Sequence, residues 1–228
     1  MRLSSILATI ILSAFPIVLA AQIDEPGDAP QLVGKVEGNV YVSPTGLFRM
    51  PIPVLPELGG NITDTENVVT FEDVFTTHIS IGVFPMDASQ RWDLSTSNKK
   101  DYLLKFFSSL VLADFRKQFP GAIMESEKFL PNVNNGALLV YILLPGGSRF
   151  NERIALFDDD DKLPTAKRGN LLFVRNDQVF ILSSEIAERA TERSQYTLKT
   201  AEEDEILRLR LLGVLSQIRF TGTAAAQK

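Results

Sequence analysis

Residues 136–144, GALLVYILL, constrain the fold more than any other stretch of this chain, because they are apolar nearly throughout. Successive side chains of a strand point to opposite faces of its sheet. A strand apolar on both faces must therefore lie centrally, with a covering layer on each side. The chain has 228 residues, 45% of them apolar, which is ample for such a core. Set against roughly 150 residues per domain, this length predicts one large domain with tails.

The other apolar runs are short and punctuated. Residues 39–43 alternate, Pro44-Thr45-Gly46 makes a turn, and residues 47–52 continue as a second strand, together a hairpin signature. Strands are also expected at 68–73, 77–84, 123–129, 170–175 and 178–184. In 77–84, Thr77, Ile79, Ile81 and Val83 share one face, and His78, Ser80, Gly82 and Phe84 share the other. Only Asn176-Asp177 separates the last two strands, and both residue types tolerate positive φ, so a tight hairpin is predicted there.

Two long segments have helical spacing. In 98–119, Leu104, Phe107, Val111 and Phe115 recur at three and four residues, with Lys105, Ser109, Arg116 and Lys117 opposite, and Pro120-Gly121 ends the run. In 200–218, Leu207, Leu211, Val214, Leu215 and Ile218 form the apolar stripe. Thr200 and Glu203 have capping-box spacing, acids crowd the start, and Arg208, Arg210 and Arg219 lie toward the end, as the helix dipole favours. A short extra helix is expected within 185–193.

The first residues set a compartment. Met1-Arg2 precede a run of 19 uncharged residues, 3–21, ending Val18-Leu19-Ala20. This is the pattern of a secretory signal peptide, 1–20, cleaved after Ala20. The alternative is an uncleaved anchor, since the run approaches the roughly 20 residues that span a bilayer; Pro16 and the serines make it a poor one. Residues 21–38 read as a flexible leader, 39–220 as the single domain and 221–228 as a flexible tail. The expected mature protein is exported, periplasmic or secreted, with no membrane span after cleavage.

The order of elements, opening with YVSPTGLFRMPIP and passing through VVTFEDVFTTHISIGVFPMD to a long helix, further strands and a terminal helix ending in IRFTG, resembles the PsbP-like family. The matching features are Gly46-Leu47-Phe48 leading into Pro51-Ile52-Pro53, then Phe71-Glu72-Asp73, Ile81 to Pro85, and the last helix running into Phe220. The resemblance covers 39–220. It implies an α+β fold in which an antiparallel β-sheet is sandwiched between helices (α/β/α), and it implies accessory or binding roles without a shared catalytic motif. This chain differs from the pattern in its ordinary secretory signal, its 146–169 insert and its 185–199 segment.

Composition removes much chemistry. With no cysteine, the chain has no disulfide, thiolate nucleophile, iron–sulfur cluster or cysteine-bound zinc. The 23 basic and 28 acidic residues give a net charge of -5 with no basic block, so no nucleic-acid footprint. His78 is the lone histidine. As a general base it would need Ser80 or a neighbour as nucleophile and Asp73 to orient it, and no nucleophile elbow is present. Glu72 and Asp73 are adjacent on a strand and point to opposite faces, which argues against an acid dyad.

Asp158 to Asp161 offer carboxylates to a hard cation, with Asp158 and Asp160 as weak calcium candidates. Leu163 and Gly169 stand where an EF-hand needs glycine and glutamate. Trp92, beside Arg91 and just past a strand end, is expected to pack on the sheet edge, with a ligand or partner contact as the alternative. Asn61-Ile62-Thr63 is a glycosylation sequon in an expected turn. No glycine pair extends to a phosphate-binding loop. The function expected is an exported, non-enzymatic binding or accessory protein, with Trp92, His78 and Arg91 as contact candidates and no cofactor. The alternative is an exported hydrolase using His78 as general base. The partner is an unknown protein or small molecule.

Overall fold

The computed structural model describes residues 32–150, 164–192 and 195–221. The expected signal peptide, most of the leader, the acidic run with Asp158 and Asp160, and nearly all of the tail lie outside these residues. Two antiparallel sheets carry the chain. The small one has the order β1 (Lys35–Glu37), β2 (Val40–Val42), β3 (Phe48–Pro51) and β11 (Arg219–Phe220). Lys35–Glu37, assigned to the leader from the sequence, thus pairs with β2.

The large sheet comprises β4 (Asn61–Asp64), β5 (Val68–Glu72), β6 (His78–Pro85), β7 (Ile123–Leu130), β8 (Ala137–Pro145), β9 (Thr165–Arg175) and β10 (Gln178–Glu185). Its spatial order is β4-β5-β6-β10-β9-β8-β7. The fold is therefore α+β, and the large sheet is covered on both faces.

β8 shows why. Ala137, Leu139 and Tyr141 enter one core with Phe71, Ile81, Phe173, Leu207 and Leu211, whereas Leu138, Val140, Ile142 and Leu144 enter the other with Leu103, Phe106 and Phe107. The first core lies under the small sheet and helix α5 (Thr200–Gln217). The second lies under α1 (Ala88–Thr96), α2 (Lys99–Phe106) and α3 (Leu112–Gln118). A short helix, α4 (Glu188–Thr191), follows β10 as expected. Asn176 and Asp177 adopt φ of 49° and 54°, so the β9–β10 link is the tight hairpin predicted.

Three local expectations are corrected. The 98–119 segment starts at its Asn98 cap, but a π-helical stretch at Phe107–Val111 divides it. The helix before it buries Tyr102, Leu103 and Phe106 rather than Leu104, and the extra residue of the π turn then carries the buried face from Phe107 to Leu112, leaving Val111 and Phe115 only half-buried. The second helix is capped from Lys199, whose N–H is accepted by the Glu202 carboxylate at 2.7 Å, so Thr200 and Glu203 form no capping box.

Glu203 is buried instead and takes Lys167 Nζ (3.1 Å), Arg189 (2.7 Å) and the Tyr196 hydroxyl (2.6 Å). Lys167, fully buried, also meets Glu125 and Asp204 at 2.5 and 2.6 Å. These pairings explain the third correction: β9 begins at Thr165, five residues before the expected start, because its polar opening is buried against charged partners.

Candidate functional site

The turn before β6 fixes His78. One carboxylate oxygen of Asp73 accepts the backbone N–H groups of Phe75, Thr76 and Thr77 at 2.8, 2.8 and 2.9 Å. Burial pushes the Asp73 carboxyl up, but its hydrogen bonds from Thr77, Thr76 and Phe75 prevail and hold it below the usual range. Asp73 is thus committed to the turn and does not orient His78. The strand then starts with His78 in register with Glu72.

His78 is 5% exposed. Burial, and then the positive charges of Arg168 and Arg149, lower its pKa to about 3, so its imidazole is neutral at physiological pH. Both arginines are held nearby: Arg168 Nε bonds Glu185 at 3.1 Å, and Arg149 Nη2 bonds Glu72 at 3.2 Å. The Ser148 hydroxyl also donates to Glu185, at 2.7 Å. The Nδ1 atom of His78 is buried and has no hydrogen-bond partner outside the residue's own backbone. Ser80 is half-buried and makes no bond to it, so no nucleophile–base pair is assembled.

His78 lines a cavity of about 360 Å³ between the start of β6, the end of β10, α4 and the second half of α5. Across it, the Glu188 carboxylate accepts Arg210 Nη2 at 2.7 Å through one oxygen, while its other oxygen, Oε2, is buried without a partner. Arg210 Nη1 donates to the Glu185 carbonyl at 3.2 Å. Thr77, Ser184 and Gln217 add polar groups to the wall, and Pro53, Ile79 and Val214 add apolar surface.

Gly213 lines the same cavity from within α5, and a Cβ built on it meets no atom within 4 Å. Glycine in a helix interior costs about 1 kcal/mol relative to alanine. Packing therefore does not require this glycine, and its effect is to leave the cavity wall bare.

The expected contact residues do not converge. Trp92 lies on α1, which buries none of its nine residues, and is 68% exposed; it does not pack on the sheet edge as expected. Arg91 is exposed and donates to the Met86 carbonyl at 2.5 Å. Neither residue lines the His78 cavity. Asn61 begins the edge strand β4 and is exposed, rather than sitting in a turn.

Sequence reasoning missed Glu188, Arg210 and Ser184, which gather only through packing. The one local signal was Gly213, an isolated glycine in a helical stripe. A second cavity, about 390 Å³, lies on the other face between the π stretch, α3 and the sheet, lined by Phe84, Phe106, Leu110, Phe115 and Ile181. At its rim Lys117 and Asp114 pair with each other at 3.2 Å.

Among the described residues, no three His, Asp or Glu side chains gather to hold a metal ion, and no helix is long and apolar enough to cross a membrane. No protein-family model and no curated protein sequence matches the chain. Solved structures similar to it include the Ran-binding protein Mog1p of Saccharomyces cerevisiae, at 11% identity and a TM-score of 0.45, covering 84% of this chain and 97% of that one. They also include the cyanobacterial PsbP of Synechocystis, at 10% identity and a TM-score of 0.47, covering 83% and 99%. A Bacteroides thetaiotaomicron protein is similar at 13% identity and a TM-score of 0.37, covering 83% and 51%.

Proposed function

We propose that this protein is an exported, non-enzymatic binding module whose ligand seat is the cavity between His78 and Glu188. One observation carries the reading: polar groups of His78, Ser184, Glu188 and Arg210 and apolar surface of Pro53, Ile79 and Val214, brought from four elements, wall a single cavity of about 360 Å³. Ligand seats combine apolar walls with a few fixed polar groups in this way.

A hydrolytic role is not favoured, because Asp73 is spent on the β5–β6 turn and His78 has no hydroxyl partner. Export rests on the uncharged run ending at Ala20.

Two assays test the reading. The purified protein is screened by thermal unfolding against a small-molecule library, and in parallel against ester, phosphate, peptide and glycoside substrates. Binders that raise the unfolding temperature without turnover are expected. Turnover that vanishes in His78→Ala would instead establish the hydrolase. Export is checked by amino-terminal sequencing, which should begin at Ala21 or Gln22; a start at Met1 in a membrane fraction would contradict it.

A further inference from the structure

We propose that residues 146–150 form a strap across His78 that opens when this histidine takes a proton, so that acid releases the segment ahead of the rest of the fold.

The sheet sets the course of the strap. Glu72 stands opposite His78 on the neighbouring strand β5. On the other side, the ladder with β10 runs to Ser184 opposite Ile79, and its next step brings Glu185 opposite His78. Residues opposite one another in an antiparallel ladder share a face, so Glu72, His78 and Glu185 form a row across the sheet. The strap is tied to both ends of that row. Ser148 Oγ and the Arg149 N–H donate to the Glu185 carboxylate at 2.7 and 3.3 Å, and Arg149 Nη2 donates to Glu72 at 3.2 Å. In reaching from one carboxylate to the other, residues 148–149 cross the strand at His78, which is 5% exposed. Two further contacts complete the fastening: Arg168 Nη2 donates to the Gly147 carbonyl at 3.0 Å, and Phe150 is buried with Ala187 and Ala190.

The charges decide what a proton does there. Those facing the ring are Glu72 from β5, Glu185 from β10, Arg168 from β9 and Arg149 from the strap. From α4 and α5, Glu188 and Arg210 pair with each other at 2.7 Å, and Asp73 is spent on its turn. Glu72 and Glu185 each already hold a guanidinium, at 3.2 and 3.1 Å. A protonated imidazole makes three cations against two carboxylates in a buried position, which is costly. It gains a counter-ion only by displacing an arginine. Arg149, whose side chain is 53% exposed, can leave for water, whereas Arg168 is buried. Losing Arg149 unties the strap from Glu72 and lets water reach the ring. Burial and the two arginines hold the covered ring at a pKa of about 3, so the closed strap refuses the proton that the open one accepts. The strap also has little else to hold it, with one small apolar cluster, whereas β8 is laddered on both sides.

The test is amide hydrogen exchange of the full chain, each rate divided by the intrinsic rate at the same pH, for Arg149 and Phe150 in the strap and Leu139 and Val140 in β8. The strap amides are expected to be less protected than those of β8 at pH 7 and at pH 5. Their protection should fall about 25-fold between the two, the factor given by a pKa of about 3 when closed and 6.5 when open. In His78→Gln that fall should vanish.

Strap amides that are less protected than β8 but unchanged between pH 7 and pH 5 would overturn the proposal, because the strap would then open without uncovering His78. Strap amides as well protected as those of β8 would also overturn it, because the segment would then open only with the whole fold. Both outcomes are read in the parent chain and so do not depend on the variant folding.

Discussion

Lowering the pH from 7 to 5 should destabilise the folded protein through His78 alone by about 2 kcal/mol. The unfolded imidazole has its ordinary pKa of 6.5, whereas burial and then the fields of Arg168 and Arg149 bring the folded value to about 3. Between those two values the unfolded chain takes up a proton that the folded chain refuses. The stabilisation is therefore fully present above pH 6.5 and is lost as the pH falls toward 3. Each pH unit inside the window is worth about 1.4 kcal/mol, so the 1.5 units from 6.5 to 5 give about 2 kcal/mol.

The assay is urea unfolding at pH 7, 6 and 5 for the parent and for His78→Gln, which keeps a polar side chain and cannot titrate. Carboxylates held low, such as Asp73 and Glu203, act at lower pH and contribute equally to both proteins. The parent should lose about 2 kcal/mol more than the variant over this range. Equal losses, or an NMR titration placing the His78 ring near 6.5, would refute the burial on which the site rests.

Lys167→Met should cost about 3 kcal/mol in denaturant unfolding, the low end for breaking a buried ion pair. Glu203 would keep Arg189 and Tyr196, while Glu125 Oε2 and Asp204 Oδ1, both buried, would lose their cation; a loss below about 1 kcal/mol would show that the cluster does not hold α5 to β9. Leu211→Ala, at a fully buried position, should cost about 2–5 kcal/mol from lost transfer energy and the cavity left behind. A change under about 0.5 kcal/mol would place that residue on the surface.

How much of this was legible in the sequence follows from where each signal resides. The two-sided burial of β8 is written in its own nine residues, and the β9–β10 hairpin in Asn176-Asp177, because both depend on neighbours in the chain. The start of β9 was not legible. Lys167 and Arg168 look like surface residues until Glu203, Glu125 and Glu185 arrive from other elements. The π stretch escaped because spacing was read at 3.6 residues per turn, and its apolar residues fit that period. Helix α1 escaped because it buries nothing, although Asp87 and Gln90 do form a capping box.

The candidate site divides the same way. His78 stood out as the lone histidine, but its partners across the cavity come from α4 and α5 and carry no local mark. Trp92 stood out by type, and its helix places it in solvent.

The central claim, that the ligand seat is the His78 cavity, is tested most directly by mapping where a binder acts. Two-dimensional amide NMR of the full chain, recorded with and without a compound that raises the unfolding temperature, separates the two cavities. Shifts concentrated at Thr77, Ser184, Glu188 and Gly213 are the predicted result. Shifts confined to Leu110, Ala113 and Phe115 at the second cavity, with the His78 region unmoved, would contradict it.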